Sequence, residues 1–140
     1  MLLQPLIHPP LLHALAAAGH GSQVLIADGN YPVATGVHPR AQVIHLNLQP
    51  GLLDAVTVLR ALLSAVPVEG AAVMSPDGHD PELFVHFQTA LPGITLERLR
   101  RTDFYAAARG VDVAAVVATG EIRHFGNLLL TIGVTTEKAA

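Results

Sequence analysis

Val24, Leu25, Ile26 and Ala27 follow one another without a polar side chain, between Gln23 and Asp28. Successive residues of a strand point to opposite faces, so a strand of this composition is apolar on both and folds only where both are covered. That requirement directs the chain toward a sheet held between layers of helix.

The remaining sequence supplies such layers. Residues 9–19 predict a helix, with Pro10 in its first turn, Leu11, Leu15 and Ala18 on one face, and Gly19 as its stop. Residues 51–66 predict a second, with Leu52, Val56, Leu59, Leu63 and Val66 on one stripe and Asp54 and Thr57 opposite. Residues 80–91 predict a third, capped by Asp80 with Pro81 at its first position, packing Leu83, Phe84 and Phe87 inward. Residues 101–110 predict a short fourth helix stopped by Gly110. Strands are expected at 23–28, 42–48, 70–76, 94–99, 113–121 and 126–134, the last two joined by a turn at Gly120. Strands alternating with helices predict an α/β fold, a single domain over 1–140 with a mostly parallel sheet covered by helices in three layers.

Composition narrows the function. The chain has 140 residues, 51% of them hydrophobic, enough for one real core. Charged residues make up only 14%, which leaves less polar surface than a monomer of this size presents and points toward self-association. A net charge of −3, with Arg98, Arg100 and Arg101 the one basic concentration, argues against nucleic acid. The absence of cysteine excludes disulfides, thiolate metal sites and cysteine nucleophiles, and suits a cytoplasmic setting. The apolar N-terminal stretch, interrupted by Pro5, Pro9 and Pro10 and without a basic start, reads as neither a signal peptide nor a membrane span.

In open α/β sheets, ligands collect beyond the carboxyl ends of the strands, and Asp28 ends the first strand there, followed by Asn30, Tyr31 and His38. Its carboxylate either accepts hydrogen bonds from ligand hydroxyls or simply caps the turn into Gly29 and Asn30. His20, between Gly19 and Gly21, is either an accessible acid/base or a residue that follows a helix stop. His13 and His86 fall on solvent faces, and His45 alternates on a strand. Asp77, His79, Asp80 and Glu82 cluster in a turn and a cap, without metal-ligand spacing, so no metal is expected. Residues 118–130, "ATGEIRHFGNLLL", combine a turn at Thr119 and Gly120 with Glu121, His124, Phe125 and Asn127. There an aromatic face beside an amide suits stacking on a sugar, or else the aromatic enters the core. Dinucleotide, P-loop and nucleophile-elbow motifs do not occur.

Three segments, "LLHALAAAGHGSQVLIADGNYP", "RTDFYAAA" and "VVATGEIRHFGNLLLTIGV", together resemble the ribose pyranase and fucose mutarotase family, whose members handle free monosaccharides. The likeness runs essentially the full length, and the "FY" at 104–105 with the "ATGE…GN" ending is closer to the fucose branch. The resemblance implies His20 as proton donor, Asp28 as a sugar-binding carboxylate, and Arg101, rather than the adjacent Arg100, as the basic residue ahead of the "FY" helix. It also implies Phe125, Gly126 and Asn127 as the aromatic-small-Asn sugar-binding triplet, and ring-shaped homo-oligomers up to decamers with sites completed across subunit boundaries; ring opening of a free sugar already runs in water, so no cofactor is expected. Two positions depart from the family pattern. Phe125 stands where tyrosine is usual, and Ser22 where a carboxylate commonly follows the histidine by two residues. The expected activity is mutarotation or pyranose–furanose exchange of a fucose-like hexose or ribose. A non-catalytic sugar-binding accessory is the alternative.

Overall fold

The computed structural model describes residues 1–137. The chain runs α1 (Pro9–Ala18), β1 (Gln23–Ala27), β2 (Gln42–His45), α2 (Ala55–Leu63), β3 (Val68–Met74), α3 (Glu82–Ala90), β4 (Leu96–Leu99), α4 (Arg101–Ala108), β5 (Val113–Ala118) and β6 (Leu128–Ile132). The six strands form one sheet in the order β2-β5-β1-β6-β3-β4. All neighbours are parallel except β6, which is antiparallel to β1 and β3.

The fully apolar β1 occupies an interior position. Val24 and Ile26 join Leu11, Leu15, Leu59, Leu62, Leu83 and Phe87 in the core under α1, α2 and α3. Leu25 and Ala27 point the other way, into a smaller core with Phe104 and Ala108 of α4 and Tyr31 from the β1–β2 loop. The three expected layers are thus present but unequal, three helices against one. No described helix is long and apolar enough to cross a membrane.

Helix ends follow local chemistry. His8 caps α1, its Nδ1 accepting the Leu11 N–H at 3.4 Å, with prolines at the first two positions, and Gly19 ends the helix at φ +85°. Three expectations are corrected. The helix read from 51 to 66 starts only at Ala55, because Asp54 turns its carboxylate onto the Thr57 N–H at 2.7 Å as an N-cap. Leu52 therefore stays outside and 45% exposed, and Ala55, Val56, Val58, Leu59 and Leu62 form the buried stripe. Asp80 does not cap α3, since its carboxylate is held by Arg98 Nε at 3.0 and 3.1 Å; Pro81 takes the cap position without a side-chain bond.

The third correction shapes the site. β5 and β6 are not a hairpin turning at Gly120, because β1 lies between them. A strand apolar on both faces needs both backbone edges paired away from water, and β1 takes β5 on one edge and β6 on the other. Residues 119–127 must then cross over the carboxyl end of β1 to connect them.

Candidate functional site

That crossing is fastened to β1 along its length. The Thr119 N–H and hydroxyl both donate to the Ala27 carbonyl, at 3.0 and 2.7 Å, and the Gly29 N–H donates to the Glu121 carbonyl at 2.8 Å. Gly120 has to be glycine, as a Cβ there would run into the Leu52 carbonyl and sit 2.5 Å from the Gln49 carbonyl. Glu121 is 1% exposed, yet its carboxyl is held below the usual carboxylate range. Burial alone would raise its pKa, but bonds from the Arg123 side chain at 2.8 Å and from the Arg123 and Ala55 N–H groups at 2.9 and 3.1 Å outweigh this and bring it down to about 2.

Asp28, 6% exposed, is the focus of the crossing. Its Oδ1 accepts the Asn30 N–H at 3.0 Å, and its Oδ2 accepts the Gly126 N–H and the Asn127 side-chain amide, both at 3.2 Å. Its own N–H donates to Asn127 Oδ1 at 2.8 Å. Burial raises its pKa; the backbone N–H donors act in the opposite direction, and the nearby Glu121 charge adds to the rise. Gly126 permits this approach, since a Cβ would lie 2.7 Å from Glu121 Cγ and 3.1 Å from Asp28 Cβ. Phe125, just before it, adopts φ +59°, a left-handed conformation unusual for an aromatic residue.

These residues open onto a cavity of about 150 Å³ bordered by Asp28, Asn30, Arg101, Tyr105, Phe125 and Asn127, with Met74 and His124 completing its wall. The space suits a small polar ligand rather than a drug-sized one. Arg101 enters from the first turn of α4, its guanidinium carbon 5.8 Å from the centre of the Tyr105 ring one turn later, and Arg109 lies 5.6 Å from the same ring. Tyr31 lies at 5.5 Å from Tyr105 and anchors its hydroxyl on the Gly36 carbonyl at 2.6 Å. Arg100 points elsewhere, pairing with Asp103 at 3.3 Å. Residues bearing a carboxylate, a guanidinium, an amide and an aromatic ring therefore border one cavity, the residue types that hydroxyl recognition uses, although the Phe125 ring also packs against both apolar cores. Beyond Asn30 lies a larger cleft of about 440 Å³, bordered by Asn47, Gln49, Gly120 and Ile122. The one charged group that borders it, Glu121, is already committed to Arg123.

Asp28, Arg101, Phe125, Gly126 and Asn127 are thus gathered at one end of the sheet, and His20 is not. His20 precedes the amino end of β1, with its Nε2 3.0 Å from Glu69 Oε1, beside a separate groove of about 460 Å³. From Ser22 to Asp28 the strand covers roughly 20 Å at about 3.3 Å per residue. Tyr105 was read from sequence only as half of the "FY" pair and not as a site residue, and Glu69 was not singled out. The i, i+4 spacing of Arg101 and Tyr105 could have indicated the first, whereas Glu69 reaches His20 from 49 residues away and leaves no local signal. Among the described residues, no group of three or more histidine or carboxylate side chains could hold a metal ion.

A model of the RbsD / FucU transport protein family matches residues 1–135. Among solved structures, RbsD of Bacillus subtilis complexed with D-ribose is 25% identical, with a TM-score of 0.84 over 97% of this chain and 100% of that one. The fucose mutarotase of Streptococcus pneumoniae in complex with L-fucose is 28% identical, with a TM-score of 0.81 over 97% and 100%. FucU of Bifidobacterium longum is 27% identical, with a TM-score of 0.79 over 93% and 96%.

Proposed function

The chain belongs to the RbsD / FucU transport protein family, and from that premise we propose that it is a monosaccharide mutarotase or pyranase acting on a fucose-like hexose or ribose. The observation that carries this reading is the convergence of Asp28, Arg101, Phe125 and Asn127 on one small cavity. Asp28 and Asn127 receive and donate hydroxyl hydrogen bonds, Arg101 donates to ring or hydroxyl oxygens, and the Phe125 ring stacks on the sugar's apolar face.

Ring opening transfers two protons. The anomeric hydroxyl loses one to a base while its oxygen forms the carbonyl, the bond from the anomeric carbon to the ring oxygen breaks, and the ring oxygen takes up one proton. Reclosure on either face of the aldehyde reverses these transfers. No electron acceptor is needed. His20 is the proposed acid/base, and because β1 separates it from Asp28 within one copy, a neighbouring copy in a ring of five or a decamer delivers it. Exposed apolar side chains support such a head-to-tail contact: Leu48 and Ile122 are 81% and 62% exposed at the carboxyl end of the sheet, and Val134 is 62% exposed beside His20. The proposed compartment is the cytoplasm.

Saturation-transfer NMR on L-fucose, D-ribose and D-galactose tests the reading. Faster anomer or ring-form exchange with catalytic amounts of protein is expected for at least one sugar. No acceleration at concentrations where binding is detected would sink it in favour of a second reading, a sugar-binding accessory without catalysis. Phe125, which lacks the hydroxyl of a tyrosine, is the observation on that side.

A further inference from the structure

Glu69, on β3, presents both carboxylate oxygens to one nitrogen of His20: Oε1 and Oε2 lie 3.0 and 3.1 Å from Nε2. Ser22, at the position where the family commonly carries a carboxylate, is occupied elsewhere, its hydroxyl donating to the Ala18 carbonyl at 2.9 Å. The chain thus has a carboxylate on its histidine, brought by a different strand.

The pair lies at the surface, with the side chains of His20 and Glu69 56% and 47% exposed. Gly19 and Gly21, at φ +85° and +81°, bracket His20 in conformations other residues resist. Gly133 on the adjacent strand end leaves room for Glu69, since a Cβ there would lie 3.3 Å from the Cβ of Glu69. The groove beside His20 is lined by Leu15, Ala65, Val66, Ile132 and Val134 among other uncharged residues from α1, the segment before β3 and the end of β6. Glu69 is the one charged group paired with the imidazole among the described residues.

We propose that Glu69 is a positioning residue for His20 in the sugar-isomerising reaction, an inference that rests on the function proposed above. An ionised carboxylate only accepts, so the pair fixes the ring proton on Nε2 and leaves the Nδ1 lone pair free to take the anomeric proton. When the imidazole is protonated in turn, Glu69 faces the new positive charge. The carboxylate takes over the orienting role that Ser22 cannot fill.

The test is Glu69→Ala in the full-length protein, at a side chain that is 47% exposed. Sugar exchange is followed by saturation transfer, and the His20 tautomer is read from its ring-nitrogen chemical shifts. Expected are an Nε2–H tautomer in the unmodified protein, its loss in the variant, and about a tenfold fall in kcat at unchanged KM. Equal exchange rates, or a rate loss with the tautomer unaltered, would overturn the assignment. If the unmodified protein accelerates no sugar at all, the mutarotase reading fails and this inference falls with it, a result distinct from equal, non-zero rates in both proteins.

Discussion

Asn127 holds Asp28 with both ends of its amide: Oδ1 accepts the Asp28 backbone N–H at 2.8 Å while Nδ2 donates to Asp28 Oδ2 at 3.2 Å. The two residues lie 99 apart in sequence and meet because β6 runs antiparallel beside β1. One side chain thereby terminates the strand, anchors the crossing loop and orients the carboxylate.

Asn127→Ala strands a buried N–H and releases the carboxylate at once. A loss of about 1–3 kcal/mol is expected, read as a fall in Tm of roughly 3–10 °C, together with weaker sugar binding. An unchanged Tm would show that a water or a backbone group replaces the amide fully.

The two buried carboxylates of the site respond oppositely to pH. Glu121, lowered to about 2 from 4.5, contributes stability that is present above pH 4.5 and lost as the pH falls from there toward 2. Asp28, raised above 3.8, binds its proton more readily folded than unfolded, so its contribution declines as the pH rises through its folded value. Glu121→Gln should therefore cost on the order of 2 kcal/mol at pH 7, after allowance for the half-exposed Arg123, and almost nothing near pH 2. Urea midpoints for both proteins across this range check the convergence; a gap that persists at low pH would contradict it.

Phe125 separates stacking from proton relay. Phe125→Ala removes the ring and is expected to weaken sugar binding by up to about tenfold, seen in titration calorimetry. Phe125→Tyr keeps the stacking face and adds a hydroxyl that can relay a proton, so binding should hold while exchange accelerates several-fold. If Phe125→Tyr leaves exchange unchanged, a hydroxyl at this position has no part in this chain's proton transfer.

How far these residues could be read from sequence depends on the distance over which each acts. The apolar run of β1 predicted a strand covered on both faces, which follows from side-chain alternation, whereas Asp28 at its end left two readings open, and the turn-capping one is realised in its bond from the Asn30 N–H. The cap at Asp54 was missed, although it too is local, because apolar periodicity continues backward through Leu52 and hides the boundary. Asp80 had a sequence suited to capping and lost that role to Arg98, 18 residues on, which offers a bidentate charged partner. The insertion of β1 between β5 and β6 was illegible, since it depends on which edges pair and not on any strand's own pattern. With it went the reason Gly126 and Asn127 meet Asp28, residues that only the family resemblance had grouped with it.

The separation of His20 from Asp28 along β1 makes a prediction about assembly. If each site takes Asp28 from one copy and His20 from its neighbour, His20→Gln and Asp28→Asn are each inactive alone, because every site lacks one group. When the two variants are mixed, unfolded and refolded together, some interfaces join an intact Asp28 to an intact His20. For random neighbours in a ring, about a quarter of the sites are restored, and with them about a quarter of wild-type exchange. Sites built within one chain give no recovery at any mixing ratio, since no single chain then carries both groups. The recovered rate should also vary with the product of the two fractions and peak at equal amounts, which distinguishes shared sites from residual activity of either variant.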